Sequence, residues 1–301
     1  MTRLPTFSSL FLSRTRVYII NCHKIAYMNN KNIWTSILYI ILFISAFVLL
    51  QVFGSWIAKG CYALIKGIPL SEVSNYSNSS ELQSVICVLG DLLTIVIFTR
   101  ARWSKVSRDY LKARPWAVLM WTFLFTIGSI LPMEFISEKA NLTLPEQTQH
   151  FFELIMKTPW GYIAVGIMTP IAEELVFRGA ILNKLLSSFK GNQHWIAIIL
   201  SALIFGLIHL NVVQGLHAFL IGLLLGWMFY RTGSVIPGIL FHWVNNTVAF
   251  LMFHLIPQMN DGKLIDLFHG DSRLMYGGLF FSLCILIPSL FQLVIRMHKA
   301  K

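Results

Sequence analysis

Eight apolar stretches, at about Ile33–Ile57, Gln83–Thr99, Pro115–Pro132, Trp160–Leu182, His194–Leu210, Gly215–Tyr230, Ser234–Ile256 and Tyr276–Ile295, constrain this chain more than any other feature. Each is close to the ~20 residues that a ~30 Å hydrocarbon layer requires of a crossing helix. Composition agrees: 56% of the residues are hydrophobic, 12% are charged and the mean hydropathy is +0.67, outside the range of soluble domains. The expectation is an all-α polytopic integral membrane protein of about eight transmembrane helices. Residues 33–301 form one integral domain, since no internal repeat or low-complexity linker divides them. Residues 1–32 read as a basic cytosolic tail, or as sequence upstream of a start at Met28.

The net charge of +11 needs a location before it means anything. Between the second and third stretches stand Arg100, Arg102, Lys105, Arg108, Lys112 and Arg114 against Asp109 alone. Further cations follow at the amino end, at Lys184 after the fourth stretch, at Arg231 after the sixth, and at Arg296 and Lys299. The intervening loops carry acids instead, among them Glu134, Glu138, Glu146, Glu153, Asp266 and Asp271. Alternation of this kind is the positive-inside pattern, so both termini are expected to be cytosolic and the protein multi-pass, in the plasma membrane if the host is bacterial. It also accounts for the basicity without nucleic acid, for which no basic patch interleaved with aromatics exists. Cys22, Cys61, Cys87 and Cys284 lie far apart with no Cys-x-x-Cys spacing, which argues against a thiolate metal site and a disulfide framework. Residues Gln147 to Lys157, with Phe151, Phe152, Leu154 and Ile155 among polar neighbours, suit a short interfacial helix leading into the fourth span.

Ile171-Ala-Glu-Glu-Leu-Val-Phe-Arg178 places two carboxylates and a guanidinium in the fourth apolar stretch. Each ionisable group at mid-membrane costs about 2.5–3.5 kcal/mol on insertion scales, so three of them demand partners, a wet cavity or a reaction. Glu174 and Arg178 are four apart and can pair on one helix face, whereas Glu173 is turned about 100° away. A structural ion pair explains Glu174 and Arg178 by itself; Glu173 is left over. Span five offers His209, with Phe205 one turn before it, and span seven offers His242 with Asn246 four residues on. Taken singly, each of these is as well explained by packing or by an interhelical hydrogen bond. Taken together, a carboxylate, two imidazoles and a carboxamide in apolar helices satisfy one another most cheaply by meeting. A carboxylate with two imidazoles is either a metal-ligand set or a water-activating set, and a carboxamide beside an imidazole can donate to an oxyanion. Straight helices would set His209 nearer the outer surface than Glu173, so convergence requires the fifth span to be tilted, longer or shifted.

The three motifs Glu173-Glu174-Leu-Val-Phe-Arg178, Phe205-Gly-Leu-Ile-His209 and His242-Trp-Val-Asn245-Asn246, with the lead-in Arg231-Thr-Gly-Ser-Val-Ile-Pro237, resemble those of the CPBP intramembrane proteases. That family includes the type II CAAX prenyl endopeptidase and the bacterial abortive-infection and bacteriocin-processing proteins. The core of the resemblance lies at about 160–256. It implies an intramembrane endopeptidase in which Glu173 and His209 activate water, His242 and Asn246 stabilise the oxyanion, and Glu174, Arg178 and Phe205 give structural support. It implies as partners the lipid bilayer and a peptide or membrane-anchored protein substrate. Zn²⁺ held by Glu173, His209 and His242 is one form of the mechanism; a glutamate-dependent reaction without metal is the other, and the lack of a His-Glu-x-x-His helix favours it slightly. The competing expectation from another class is a non-catalytic scaffold or immunity protein that binds peptide in the same cavity.

Overall fold

The computed structural model describes residues 7–106, 108–139, 144–189, 191–256 and 263–299, with backbone only at 7–32 and 108. Among the described residues every regular element is helical. Helix α1 (Phe7–Lys66) runs unbroken through the 32/33 boundary. Its apolar part, Ile33–Lys66, has 34 residues and at 1.5 Å per residue outruns a ~30 Å layer. Helix α2 (Ser80–Arg100) starts where the Ser79 hydroxyl accepts the Leu82 N–H at 3.3 Å. A short α3 (Arg108–Lys112) leads to α4 (Trp116–Lys139) and α5 (Glu146–Met156).

Among the described residues six helices are long and apolar enough to cross a membrane: Ile33–Lys66, Ser80–Arg100, Trp116–Lys139, Val212–Thr232, Ile236–Leu255 and Ser272–Arg296. The fourth and fifth expected spans depart from that pattern, and both departures matter. The fourth is a composite helix, α6 (159–188), in which α-helical turns at Pro159–Gly161, Thr169–Glu173 and Asn183–Ser188 alternate with wider π-helical turns at Tyr162–Met168 and Glu174–Leu182. The fifth, α7 (His194–Leu207), has only 14 residues, about 21 Å of rise. The chain then turns, and the Asn211 side chain accepts the Gln214 N–H at 2.9 Å to cap α8 (Val212–Thr232). Gly233, with φ of 67°, ends α8 in the left-handed conformation that favours glycine. Helices α9 (Ile236–Leu255) and α10 (Ser272–Arg296) complete the bundle, the latter capped by Asp271.

Helix α6 is the centre, touching α1, α2, α7, α8 and α9, while α10 packs on α4 and α1 on α2. Residues 174 to 182 are buried without exception, beside a core of Phe98, Phe177, Ile181, Ile198 and Phe205. The amphipathic segment expected at the interface is α5, and it buries Leu154 and Ile155 against the bundle. Gly161 is required there: a Cβ would collide with the Ile155 carbonyl.

Candidate active site

Wider turns leave carbonyls of α6 without their usual partners, and neighbouring elements supply them. The Ser104 hydroxyl donates to the Leu175 carbonyl at 2.5 Å, the Lys105 N–H to the Gly179 carbonyl at 3.0 Å, and the Ser201 hydroxyl to the Phe177 carbonyl at 3.1 Å. Proline creates one more vacancy. In the first wide turn the Thr169 N–H reaches back five residues to the Ala164 carbonyl, so Val165 would next be served by residue 170, a proline with no N–H. The Asn246 amide fills that position, donating to the Val165 carbonyl at 2.8 Å. A sequence-singled carboxamide on α9 is thereby locked to the helix that carries Glu173.

Glu174 and Arg178 pair at 2.7 Å and are fully buried, as the i,i+4 spacing predicts. The guanidinium carbon lies 4.4 Å from the centre of the Phe205 ring, giving the cation a second, π-electron partner. Gly238 on α9 makes the room, since a Cβ there would stand 2.6 Å from Glu174 Oε2. His242, one turn further along α9, bridges both acids: its Nε2 is 3.7 Å from Glu173 Oε2 and its Nδ1 is 3.7 Å from Glu174 Oε1. Glu173 keeps 14% side-chain exposure against none for Glu174, so one carboxylate is closed into an ion pair and its neighbour is partly exposed.

Antiparallel registry carries His209 along α6 in the direction of Glu173. Ser201 sits against Phe177, and the Phe177 and Phe205 rings are 4.8 Å apart, so each step along α7 toward His209 is a step back along α6 toward Glu173. Termination at Leu207 leaves His209 in the turn, where its Nδ1 bonds the Phe205 carbonyl at 2.8 Å. A carbonyl only accepts, so Nδ1 carries the proton and Nε2 is left with its lone pair. Phe205 is the hub of the cluster, its ring 5.2 Å from that of His209 and 6.2 Å from that of His242. Among the described residues no three His, Cys, Asp or Glu side chains converge as a metal-ligand set, and Glu173, His209 and His242 as arranged do not form one.

Two polar groups in the apolar helices escaped the sequence reading. Asp91 on α2 is 4% exposed, and accepts from Gln51 Nε2 at 2.9 Å and from the Thr169 hydroxyl at 2.7 Å, the latter just where α6 returns to α-helical turns before Glu173. His217 on α8 lies within electrostatic reach of both His209 and His242. The signal was available for each: an acid and an imidazole in otherwise apolar spans, the criterion that singled out Glu173 and His209. An apolar cavity of about 440 Å³ lies between α4, α6 and α9, lined by Leu119, Ile167, Ile171, Ile239, Leu240 and Trp243 among others, on helix faces other than those of Glu173 and His242.

Comparison with known proteins covers the same region. Residues 155–248 match the family described as type II CAAX prenyl endopeptidase, Rce1-like. The chain is 25% identical over 257 residues to the putative membrane peptidase YdiL of Bacillus subtilis, covering 83% of this chain and 99% of that protein. It is 28% identical over 140 residues to the UPF0177 protein YbdI of Lactococcus lactis, covering 46% of this chain and 74% of that protein. To the membrane-embedded CAAX protease MroQ of Staphylococcus aureus it is 23% identical over 235 residues, covering 75% and 92%. No solved structure matches the chain. The Rce1-like segment coincides with the stretch that carries Glu173, Glu174, Arg178, His209, His242 and Asn246, so the chain is similar to the type II CAAX prenyl endopeptidase family over the residues of the candidate site.

Proposed function

We propose that this protein is an intramembrane endopeptidase that hydrolyses a peptide bond with water activated by Glu173 and His209. The observation that carries the proposal is the 3.7 Å approach of His242 on α9 to the open carboxylate of Glu173 on α6, beside a closed Glu174–Arg178 pair. Glu173 takes the proton of a water placed between it and the Nε2 lone pair of His209. The resulting nucleophile adds to the scissile carbonyl, and the negative charge that develops on oxygen is met by an N–H of His242 and by the second N–H of Asn246, the first being held by Val165. Collapse of the tetrahedral intermediate returns the proton from Glu173 to the leaving amine. Phe205, Glu174 and Arg178 hold the imidazoles and the carboxylate in register. The substrate is a peptide or membrane-anchored protein segment of CAAX or leader-peptide type.

Full-length protein reconstituted in liposomes with membrane-anchored peptides provides the test. Glu173→Gln should lower cleavage about 10²–10⁴-fold without unfolding the protein. Activity that survives chelation supports the glutamate-dependent form; loss on chelation with rescue by Zn²⁺ assigns the activating role to a metal bound by Glu173 and the two imidazoles. No cleavage of any peptide, with binding that persists in Glu173→Ala, would make the chain a peptide-binding scaffold instead.

A further inference from the structure

We propose a second site, unconnected with peptide hydrolysis: a phosphate-binding pocket at the end of the bundle where the Lys/Arg-rich loops meet. A cavity of about 230 Å³ is lined there by Lys105, Asn183, Ser187, Tyr230, Gly233 and Lys299. Four elements separated in sequence build it: the loop after α2, the last turns of α6, the turn between α8 and α9, and the tail after α10.

The two ammonium groups are brought together by anchored backbone. Lys105 is tied to α6 by its N–H on the Gly179 carbonyl at 3.0 Å. The tail bearing Lys299 is gripped by Arg231, whose Nη2 donates to the Val294 carbonyl at 2.7 Å and whose Nε donates to the Met297 carbonyl at 3.3 Å. Both side chains reach over Gly233: a Cβ there would stand 3.6 Å from Lys299 Cγ and 4.0 Å from Lys105 Nζ. Lys299 Nζ also lies 5.7 Å from the centre of the Tyr230 ring, and that ring is stacked flat on His194 at 4.0 Å. Among the described residues no carboxylate pairs with Lys105 or Lys299. Leu186 and Phe229 complete a half-polar lining, and two exposed ammonium groups at the rim of one cavity make its potential favourable to an anion. Asn183 and Ser187, one turn apart on α6, add neutral donors to the wall. Lysine serves phosphate as a mobile point charge, which suits a phosphate group carried by an anionic phospholipid of the adjacent leaflet or by a free phosphate ester. Lys184, by contrast, points away and lies over the Tyr39 ring at 4.5 Å, which makes it an internal control on the same face.

The experiment uses the full chain in detergent, read by native mass spectrometry for the lipid retained from an equimolar mixture of phosphatidylglycerol and phosphatidylcholine, and by thermal unfolding with and without inorganic phosphate. Wild type should retain one phosphatidylglycerol, and Lys105→Gln/Lys299→Gln should lose about tenfold or more of that preference, whereas Lys184→Gln should stay within about twofold. If phosphate raises the unfolding temperature of wild type but not of the double variant, and the lipid preference is equal in both, the ligand is a free phosphate ester. Asn183→Asp, which sets a negative charge in the wall without removing a lysine, should cut retention too and replaces the double variant if that does not fold. Equal lipid retention together with equal phosphate response in wild type and variants overturns the site.

Discussion

Helices α10 and α6 both run through the bundle, yet they are specified in opposite ways. In α10 only Met275, Ser282, Ser289 and Leu293 are buried, three of them at intervals of seven, and the Ser282 hydroxyl donates to the Gly128 carbonyl of α4 at 2.9 Å. Small residues on that seam allow close approach, and the other faces present Phe280, Phe281 and Phe291 outward to lipid. Its backbone stays α-helical throughout, even past Pro288, which takes one N–H out of the ladder. In α6 every residue from 174 to 182 is buried by protein, and the wide turns persist because hydroxyls and amides from α7, α9 and the loop after α2 meet the carbonyls they free. Among the described residues the π-helical turns are thus confined to the helix that neighbours serve on several sides, and that helix carries the paired carboxylates.

The sharpest way to break this comparison is chemical. Glu173→Gln keeps the shape of α6 and should remove about 10²–10⁴-fold of peptide cleavage in liposomes, with the unfolding midpoint nearly unchanged. A large stability loss with intact residual activity would mean that Glu173 belongs to the structural pair, and that α6 is irregular for packing alone.

Next in size is the buried pair itself. Glu174→Gln leaves Arg178 charged and uncompensated at 1% exposure, at a cost of about 3–5 kcal/mol. The paired change Glu174→Met/Arg178→Met should recover part of that loss, which a double-mutant cycle by denaturant titration would measure. Gly238→Ala tests the same pair from the opposite helix: its Cβ would lie 2.6 Å from Glu174 Oε2, and overpacking of that kind costs about 1–3 kcal/mol. Asn246→Ala strips the Val165 carbonyl of its donor and should cost about 1–3 kcal/mol.

How far such features can be read ahead of coordinates differs between the two helices in the same way. Regular spans follow from apolar length, and α2, α4, α8, α9 and α10 lie within a few residues of the stretches that predict them. Glu174 with Arg178 is legible as a pair, because i,i+4 spacing acts locally. The wide turns are not legible: Pro170 hints at one, but the groups that stabilise them, Ser104, Lys105, Ser201 and Asn246, come from as far as 81 residues away. The level of His209 depends on where α7 stops and which residue of α6 faces Ser201, facts about registry that hydrophobicity does not encode. Asp91 and His217 are legible by the same sign as Glu173 and His209, an ionisable group in an apolar span.

The smallest expected effect is the control that makes the larger ones interpretable. Phe281 on α10 is 69% exposed, so its ring lies against acyl chains in both the folded protein and a helix separated within the bilayer. Lipid tails are as apolar as the ring, and no hydrophobic gain attaches to its position. Phe281→Leu should therefore shift stability by no more than about 0.5 kcal/mol, measured as the denaturant midpoint in bicelles. A loss above about 1 kcal/mol would show that this face rests on protein, and the contrast between a lipid-facing and a protein-enclosed helix would have to be redrawn with α10 as an interface. An unchanged midpoint, set beside the losses expected at Glu174 and Gly238, would locate the specificity of the fold in the helix that carries the carboxylates.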